Sequence, residues 1–466
     1  MQAQRLGEQA LVIGGSMAGL LAARILSDHY EHVTIFERDE LPATAEPRKG
    51  VPQGRHAHAL LGGGRLALEE LFPGLTQRLL DTGAPQGSGR FFSNGGFFCR
   101  IPDGPKALFV SRPRLEHEVR ARVLALPNVR MIERCDVLGF SSSQDGTRIS
   151  GLRVQRHDEN AEELISADLV ADASGRGSRT PAWLEALGYA APEVERVDVG
   201  MGYATRHYRR EPEHLDGDLM VNVAPMPTNK RACGMMAQEG DRWIVTLAGY
   251  FGDHPPTDEA GFLEFARSLT VPDVYDLIRT ATPLNDPTPF RFPANQRRRY
   301  DRLARFPEGL LVVGDAIASF TPIYGQGMTV AAKEALELRQ CLVDGTNDLA
   351  KRFFTRASRV VDVAWNIAVG NDLKLSGVKA ASPVARFLGW YVGKVQIAAR
   401  TDPKAALAFM LVASLIAAPP SLLHPRIALR VLQANLRANA GRPKSATRAP
   451  YGPSTPPPAG RGSSAR

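Results

Sequence analysis

Six residues, Gly14-Gly15-Ser16-Met17-Ala18-Gly19, and one acid, Glu37, have the types and spacing to hold a phosphorylated ligand. Glycines let backbone N–H groups approach a pyrophosphate, and an acid about twenty residues on accepts a ribose hydroxyl. Glu37 stands eighteen residues past Gly19. Ser16 replaces the middle glycine of G-x-G-x-x-G, the mildest departure, and its hydroxyl can itself reach a phosphate oxygen. Arg38, beside the acid, is counted with the cofactor-binding residues. The flanking elements decide the reading. Leu11-Val12-Ile13 is a buried-strand run, Leu20, Leu21, Ile25 and Leu26 recur at helical spacing, and Val33-Thr34-Ile35-Phe36 is a second strand. Such a β-α-β unit binds a dinucleotide, with the pyrophosphate at the helix N-terminus. A secretory core fits poorly, because no basic segment and cleavage site frame three glycines in a turn.

Two later stretches have the same character. Residues 167–179 run from an apolar strand into Asp172, Ser174, Gly175 and Gly177, the kind of carboxyl-end sheet edge where α/β ligands bind. Residues 310–328 give a buried strand, Gly314-Asp315, a loop with Pro322, Gly325, Gln326, Gly327 and Met328, and then a helix. Backbone amides face an acceptor there, and Asp315 can accept from a ribitol hydroxyl.

The rest of the chain sets limits. With 466 residues, 44% apolar and 23% charged, it has the composition of a soluble globular protein of two or three domains. The net charge of +8 is dispersed, and the one compact basic triplet, Arg297-Arg298-Arg299, reads as a solvated turn rather than a nucleic-acid patch. Cys99, Cys135, Cys233 and Cys341 form neither a disulfide framework nor a C-x-x-C pair, which fits a reducing cytoplasm. His56 and His58 lack the partners of a metal site, and no metal is expected. Arg48 lies in an irregular Pro- and Gly-rich loop where it can approach a cofactor.

Periodicity divides the remainder. Residues 59–80 carry helices broken at Pro73-Gly74, and 87–110 read as short antiparallel strands. Residues 129–132 and 136–140 read as strands returning to the sheet, with a hairpin over 148–165. Four alternating runs between 197 and 251 predict an antiparallel sheet whose methionines and aromatics either line an apolar pocket or form core. The expected architecture is α/β: a discontinuous Rossmann-type domain (1–85, 111–190, 285–345), a mainly antiparallel substrate sheet (86–110, 191–284), C-terminal helices (346–440) and a disordered tail (441–466). Residues 405–418, free of charge but shorter than a bilayer span, read as a buried helix, with a membrane-surface helix as the alternative.

Together these three stretches resemble the single-component flavin-dependent monooxygenases of the para-hydroxybenzoate hydroxylase class. The phrases RKGVPQGRHAHALL, SRPRLEHEVR, DASGRGSRTPAWL and FTPIYGQGMTVAAKEA look most like bacterial olefin and polyene epoxidases, relatives of squalene epoxidase. The resemblance implies FAD, with NAD(P)H as a transient co-substrate. It implies that Glu37 binds the adenosine ribose, that Arg112 lies near the ribityl-pyrophosphate with Arg48 nearby, that Asp315 binds the ribityl region, and that Pro322 to Met328 border the isoalloxazine. It implies oxygen transfer from a flavin C4a-hydroperoxide to a double bond of an apolar polyketide or isoprenoid. Aromatic hydroxylation, or reduction or desaturation of an isoprenoid, are the alternatives. A halogenase is disfavoured, because the tryptophans form no W-x-W-x-I-P. Ser174-Gly175 and Pro181 depart from the aromatic hydroxylases' middle motif. Monomer or dimer, and peripheral membrane contact through the C-terminal helices, are left open.

Overall fold

The computed structural model describes residues 5–102, 104–159, 161–377 and 382–440. The expected tail, 441–466, lies outside the described residues. Continuous apolar runs become central strands because helices cover both faces of a parallel sheet. β1 (Gly7–Ile13), β2 (Tyr30–Phe36), β3 (Val129–Ile132), β4 (Leu169–Asp172) and β5 (Leu310–Val312) form a parallel sheet in the order β5-β4-β1-β2-β3. Its register sets the site: Ile13 is level with Phe36 and with Asp172, and Asp172 is level with Val312. All three motif loops therefore leave the sheet at one carboxyl edge. α1 (Met17–Leu26) follows β1 and buries Leu20, Leu21, Ile25 and Leu26.

A second sheet has eight strands. Its central members, Thr288–Arg298, Val194–Arg209, Arg242–Gly249, Arg231–Gln238 and Met220–Val223, pair antiparallel. The strand Arg90–Ser93 joins Met220–Val223 in parallel. Helices Glu259–Arg267 and Asp273–Ile278 cover one face through Phe262, Phe265 and Val274. The expected methionine surface is divided: Met201 and Met235 are core, while Met220, Met226 and Met236 line a cleft.

Several expectations need correction. Residues 136–140 do not return to the parallel sheet; Cys135–Ser142 pairs with Ile149–Arg156 in a separate three-stranded meander. The strand Thr288–Arg298, expected within the dinucleotide-binding unit, belongs to the second sheet. It carries the arginine triplet's first two members inward: Arg297 binds Asp362 and Arg298 donates to the carbonyls of Ala316 and Arg176. Arg299 pairs with Glu195 and Asp301. Partners distant in sequence thus turn an expected solvated turn into buried cross-links.

α2 (Arg112–Leu124), α3 (Gly327–Val343) and α4 (Leu349–Ser376) pack on the first core. α5 (Pro383–Ala398), α6 (Pro403–Ala413) and α7 (Pro425–Ala440) form a C-terminal unit with its own small core. α6 is not the buried helix expected from the uncharged run 405–418. Only Ala405, Ala406 and Val412 are buried, and Phe409, Met410 and Ala413 instead line the cleft.

Candidate FAD and substrate site

At the first loop, backbone crowding explains the glycines. Gly14 has φ +98°, and a Cβ there would stand 2.8 Å from the Ala173 carbonyl oxygen. A Cβ on Gly19 would stand 1.8 Å from the Gly14 carbonyl oxygen. Ser16 opens α1 but makes no side-chain cap to the helix. Its hydroxyl instead donates to Glu116 Oε2 at 3.0 Å and accepts from Arg112 Nη2 at 2.9 Å. The serine expected to reach phosphate is therefore tied to α2. The helix start keeps its own N–H groups for an anion.

Glu37 accepts from Gly15 N–H at 2.8 Å and from Asp39 N–H at 2.9 Å. Arg48 lies 3.1 Å from Glu37, 2.8 Å from Asp39 and 3.1 Å from Glu116. Arg112 lies 2.9 Å from Glu116. Gly15, Ser16, Glu37, Arg48 and Arg112 are thus one connected cluster. Arg38 stands exposed outside it. Met17 sends its side chain into the core, so only its backbone faces the loop.

Glu116, the centre of this cluster, was visible in the sequence only as an acid in a helix's first turns. The spacing Arg112, Glu116, Arg120 on one helix face was the available signal. Burial works against its charge, but Arg112, Arg48 and Ser16 outweigh it and hold the carboxyl below its ordinary value. Glu116→Gln should cost about 3–5 kcal/mol, because it leaves buried arginines without their counter-charge. The check is a denaturant midpoint; a loss under about 1 kcal/mol would refute the cluster's role. Since the folded carboxyl is depressed, its contribution is full above the unfolded-state value and fades as pH falls through the folded one.

The third loop meets the first. Gly314 has φ +64°, and a Cβ there would lie 2.6 Å from Ala18 Cβ at the start of α1. Gly314 N–H donates to Glu334 Oε2 at 2.7 Å. Burial pushes Glu334 up to about 8 against that hydrogen bond. Asp315 makes no hydrogen bond within the described residues and is reached by water. Protein nevertheless encloses it on other sides, which raises its carboxyl while Arg112 and Arg176 oppose the shift. A Cβ on Gly327 would lie 3.7 Å from Asp315 Oδ1.

Asp172 organises the middle loop. It accepts from Ser174 N–H at 2.8 Å, from Thr180 Oγ1 at 2.6 Å and from Ser178 Oγ. Arg176 then reaches Ala294 and Ser319 of the second sheet. The serine that departs from the aromatic hydroxylases' motif is thus part of a local turn.

Beyond the Pro322–Met328 loop opens a cleft whose empty space, open solvent included, is ≈1630 Å³. Tyr324 and Gln326 form one border, Met220, Met226 and Met236 a wall, and Phe91, Phe409 and Met410 another. Gln326 is almost fully buried, and its Oε1 has no hydrogen-bond partner among the described residues. His58 and Lys374 are the basic side chains of this lining among the described residues. His58 Nδ1 lies 2.9 Å from the His56 carbonyl oxygen, which makes Nδ1 the donor and Nε2 an acceptor.

Behind the loop, Asp372 of α4 gathers Tyr250 at 3.2 Å, Asn295 at 2.7 Å, Thr321 at 2.6 Å and Tyr324 at 2.9 Å. Thr321 Oγ1 also lies 2.9 Å from Asn295 Oδ1, whose orientation is fixed by the Thr321 N–H at 2.6 Å. One hydroxyl proton cannot serve two acceptors. A neutral Asp372 completes the pattern by donating to Thr321, and burial raises its carboxyl in that direction, against the hydrogen bonds.

Residues 8–352 match the FAD binding domain family. The chain belongs to that family. FAD fits what the fold presents: a helix start without a side-chain cap, glycines with no room for Cβ, an acid at the end of the second strand and a second acid-and-glycine loop in contact with the first. The Mycobacterium tuberculosis protein Rv3254 is 35% identical over 86% of this chain and 88% of its own length. Kynurenine 3-monooxygenase of Salinispora arenicola is 26% identical, with 72% of each chain covered. The flavin-dependent brominase Bmp2 shares the fold at a TM-score of 0.64 and 12% identity, over 94% of this chain and 100% of its own. In this FAD-binding family member, Gly14 to Gly19 and Glu37, expected at the AMP and pyrophosphate portions, and Gly314-Asp315, expected at the ribityl portion, leave the parallel sheet at the same edge.

Three histidines, His56 buried and His58 and His207 half-buried, make its stability pH-dependent. Burial lowers His56 to about 3, and His58 and His207 to about 4, with nearby cationic groups adding to the effect. Unfolded histidines take up protons near pH 6.5, whereas these refuse them. Stability should therefore be full above pH 6.5 and fall as pH drops from about 6.5 towards 4. Urea midpoints at about pH 7 and 5 test this, and His56→Gln should flatten the difference.

Proposed function

We propose that this protein is an FAD-dependent monooxygenase that uses NAD(P)H and O2 to epoxidise a double bond of an apolar, extended substrate such as a polyketide or isoprenoid. The observation that carries this reading is the Met- and Phe-lined cleft beginning at Tyr324 and Gln326, the loop expected beside the isoalloxazine. Bound FAD, reduced by NAD(P)H, supplies an electrophilic oxygen derived from O2. The side chains align the alkene and exclude water; a double bond needs no side-chain base to become nucleophilic. Among the described residues the lining accordingly holds no carboxylate. His58 Nε2 favours a second reading, hydroxylation of a phenol-like substrate held by that acceptor.

An absorbance spectrum with NAD(P)H added anaerobically, followed by O2 uptake with candidate alkenes, tests the proposal. Flavin bleaching and an epoxide product are expected. No oxygen uptake with any substrate defeats the monooxygenase reading, and a phenol converted to a catechol selects the second. Ala413→Trp, which fills the cleft, should raise KM without changing flavin content.

A further inference from the structure

We propose that the C-terminal unit docks on an anionic lipid surface through α5 and α7. Val384, Phe387 and Trp390 of α5, and Leu429, Leu432 and Leu436 of α7, are each more than half exposed. The α7 residues recur at i, i+3 and i+7, a single stripe along the helix. Soluble surfaces rarely gather so many large apolar side chains on adjacent helices. The two helices pack together through Tyr391, Val395 and Val431, and Asn435 Nδ2 donates to the Lys394 carbonyl at 2.9 Å.

Charge identifies the occupant. Residues 382–440 contain seven Lys and Arg against one acid, Asp402, which Arg430 pairs at 3.0 Å. Arg426 and Arg437 are exposed at the two ends of the α7 stripe. Lys394 Nζ lies over the Trp390 ring, 5.9 Å from its centroid. An apolar stripe with an aromatic residue and a cationic border is the pattern of a helix lying in a headgroup layer. No helix among the described residues is long and apolar enough to cross a membrane, so the contact is peripheral. α6, packed between these helices and the body, walls the cleft with Phe409 and Met410, so the docked face adjoins the apolar cavity.

The test is co-sedimentation of the holoprotein with phosphatidylglycerol or phosphatidylcholine vesicles. Binding to phosphatidylglycerol is expected, with little to phosphatidylcholine, and weaker binding at about 0.5 M salt. The triple variant F387S/W390S/L432S should weaken it at least about tenfold. R426E/R437E, which leaves the apolar stripe intact, should weaken it by about fivefold or more per cation. Flavin content and circular dichroism confirm that each variant is folded. No binding of the wild-type protein to anionic vesicles overturns the proposal, as does binding that neither variant changes. A concentration-dependent dimer lost in the triple variant, without vesicle binding, assigns the face to a second copy of the chain and also overturns it.

Discussion

Asp315→Ala should strip the protein of FAD while leaving the chain folded. The side chain makes no hydrogen bond within the described residues, so its removal leaves no buried partner unsatisfied. Its surroundings point to a ligand instead: Gly175 and Gly327 leave the space beside it without side chains, and the Gly314 turn rests on Ala18 where α1 begins. A hydrogen bond from a cofactor hydroxyl to a charged group contributes about 1.5–3 kcal/mol, so affinity should fall about 10- to 150-fold. Titrating the apoprotein with FAD measures this directly. Asp315→Asn, which keeps an acceptor, should recover part of the loss. An unchanged dissociation constant for the alanine variant would remove Asp315 from the site.

That contact between Gly314 and Ala18 also shows how far local sequence reaches. β1, α1 and β2 were legible because each is specified by neighbours in the chain: an apolar run, a glycine turn and a 3.6-residue period. The motif loops converge because parallel strands in register place their carboxyl ends together, which strand order alone implies. Asp172 and Asp315 were visible for the same reason, as acids ending buried strands.

What local pattern could not supply is the pairing of charged groups across long separations. Ser16 and Glu116 are 100 residues apart, and Arg297 reaches Asp362 across 65. The spacing of Arg112, Glu116 and Arg120 marks a charged helix face, but it does not tell a buried hub from a solvated one. The arginine triplet misled because three adjacent cations look solvated until their strand is known to be central. The uncharged run 405–418 points the opposite way: such a run reads as core, but an apolar cleft also requires an uncharged wall. Polar hubs of this kind cost desolvation and are retained only where their geometry is complete. They accordingly lie where the loops must be held for a ligand.

Asp372→Leu should produce the largest loss of stability among the site variants, because it abandons several buried donors at once. Tyr250, Asn295, Thr321 and Tyr324 all direct polar atoms at this one carboxyl. Each unsatisfied buried group costs about 1–3 kcal/mol, so a loss of about 4 kcal/mol or more is expected. The damage should also reach the flavin, since Thr321 and Tyr324 fix the loop that begins at Pro322 and borders the cleft. A shifted flavin absorbance band in the holoprotein would report that movement separately from the denaturant midpoint. Asp372→Asn distinguishes the neutral acid from a carboxylate. If Asp372 is protonated, asparagine preserves the charge state and one acceptor, and the loss should stay near about 1–2 kcal/mol. If asparagine costs as much as leucine, the carboxylate is ionised and the proton pattern drawn through Thr321 is wrong. If leucine costs under about 1 kcal/mol, the network does not hold the loop at all.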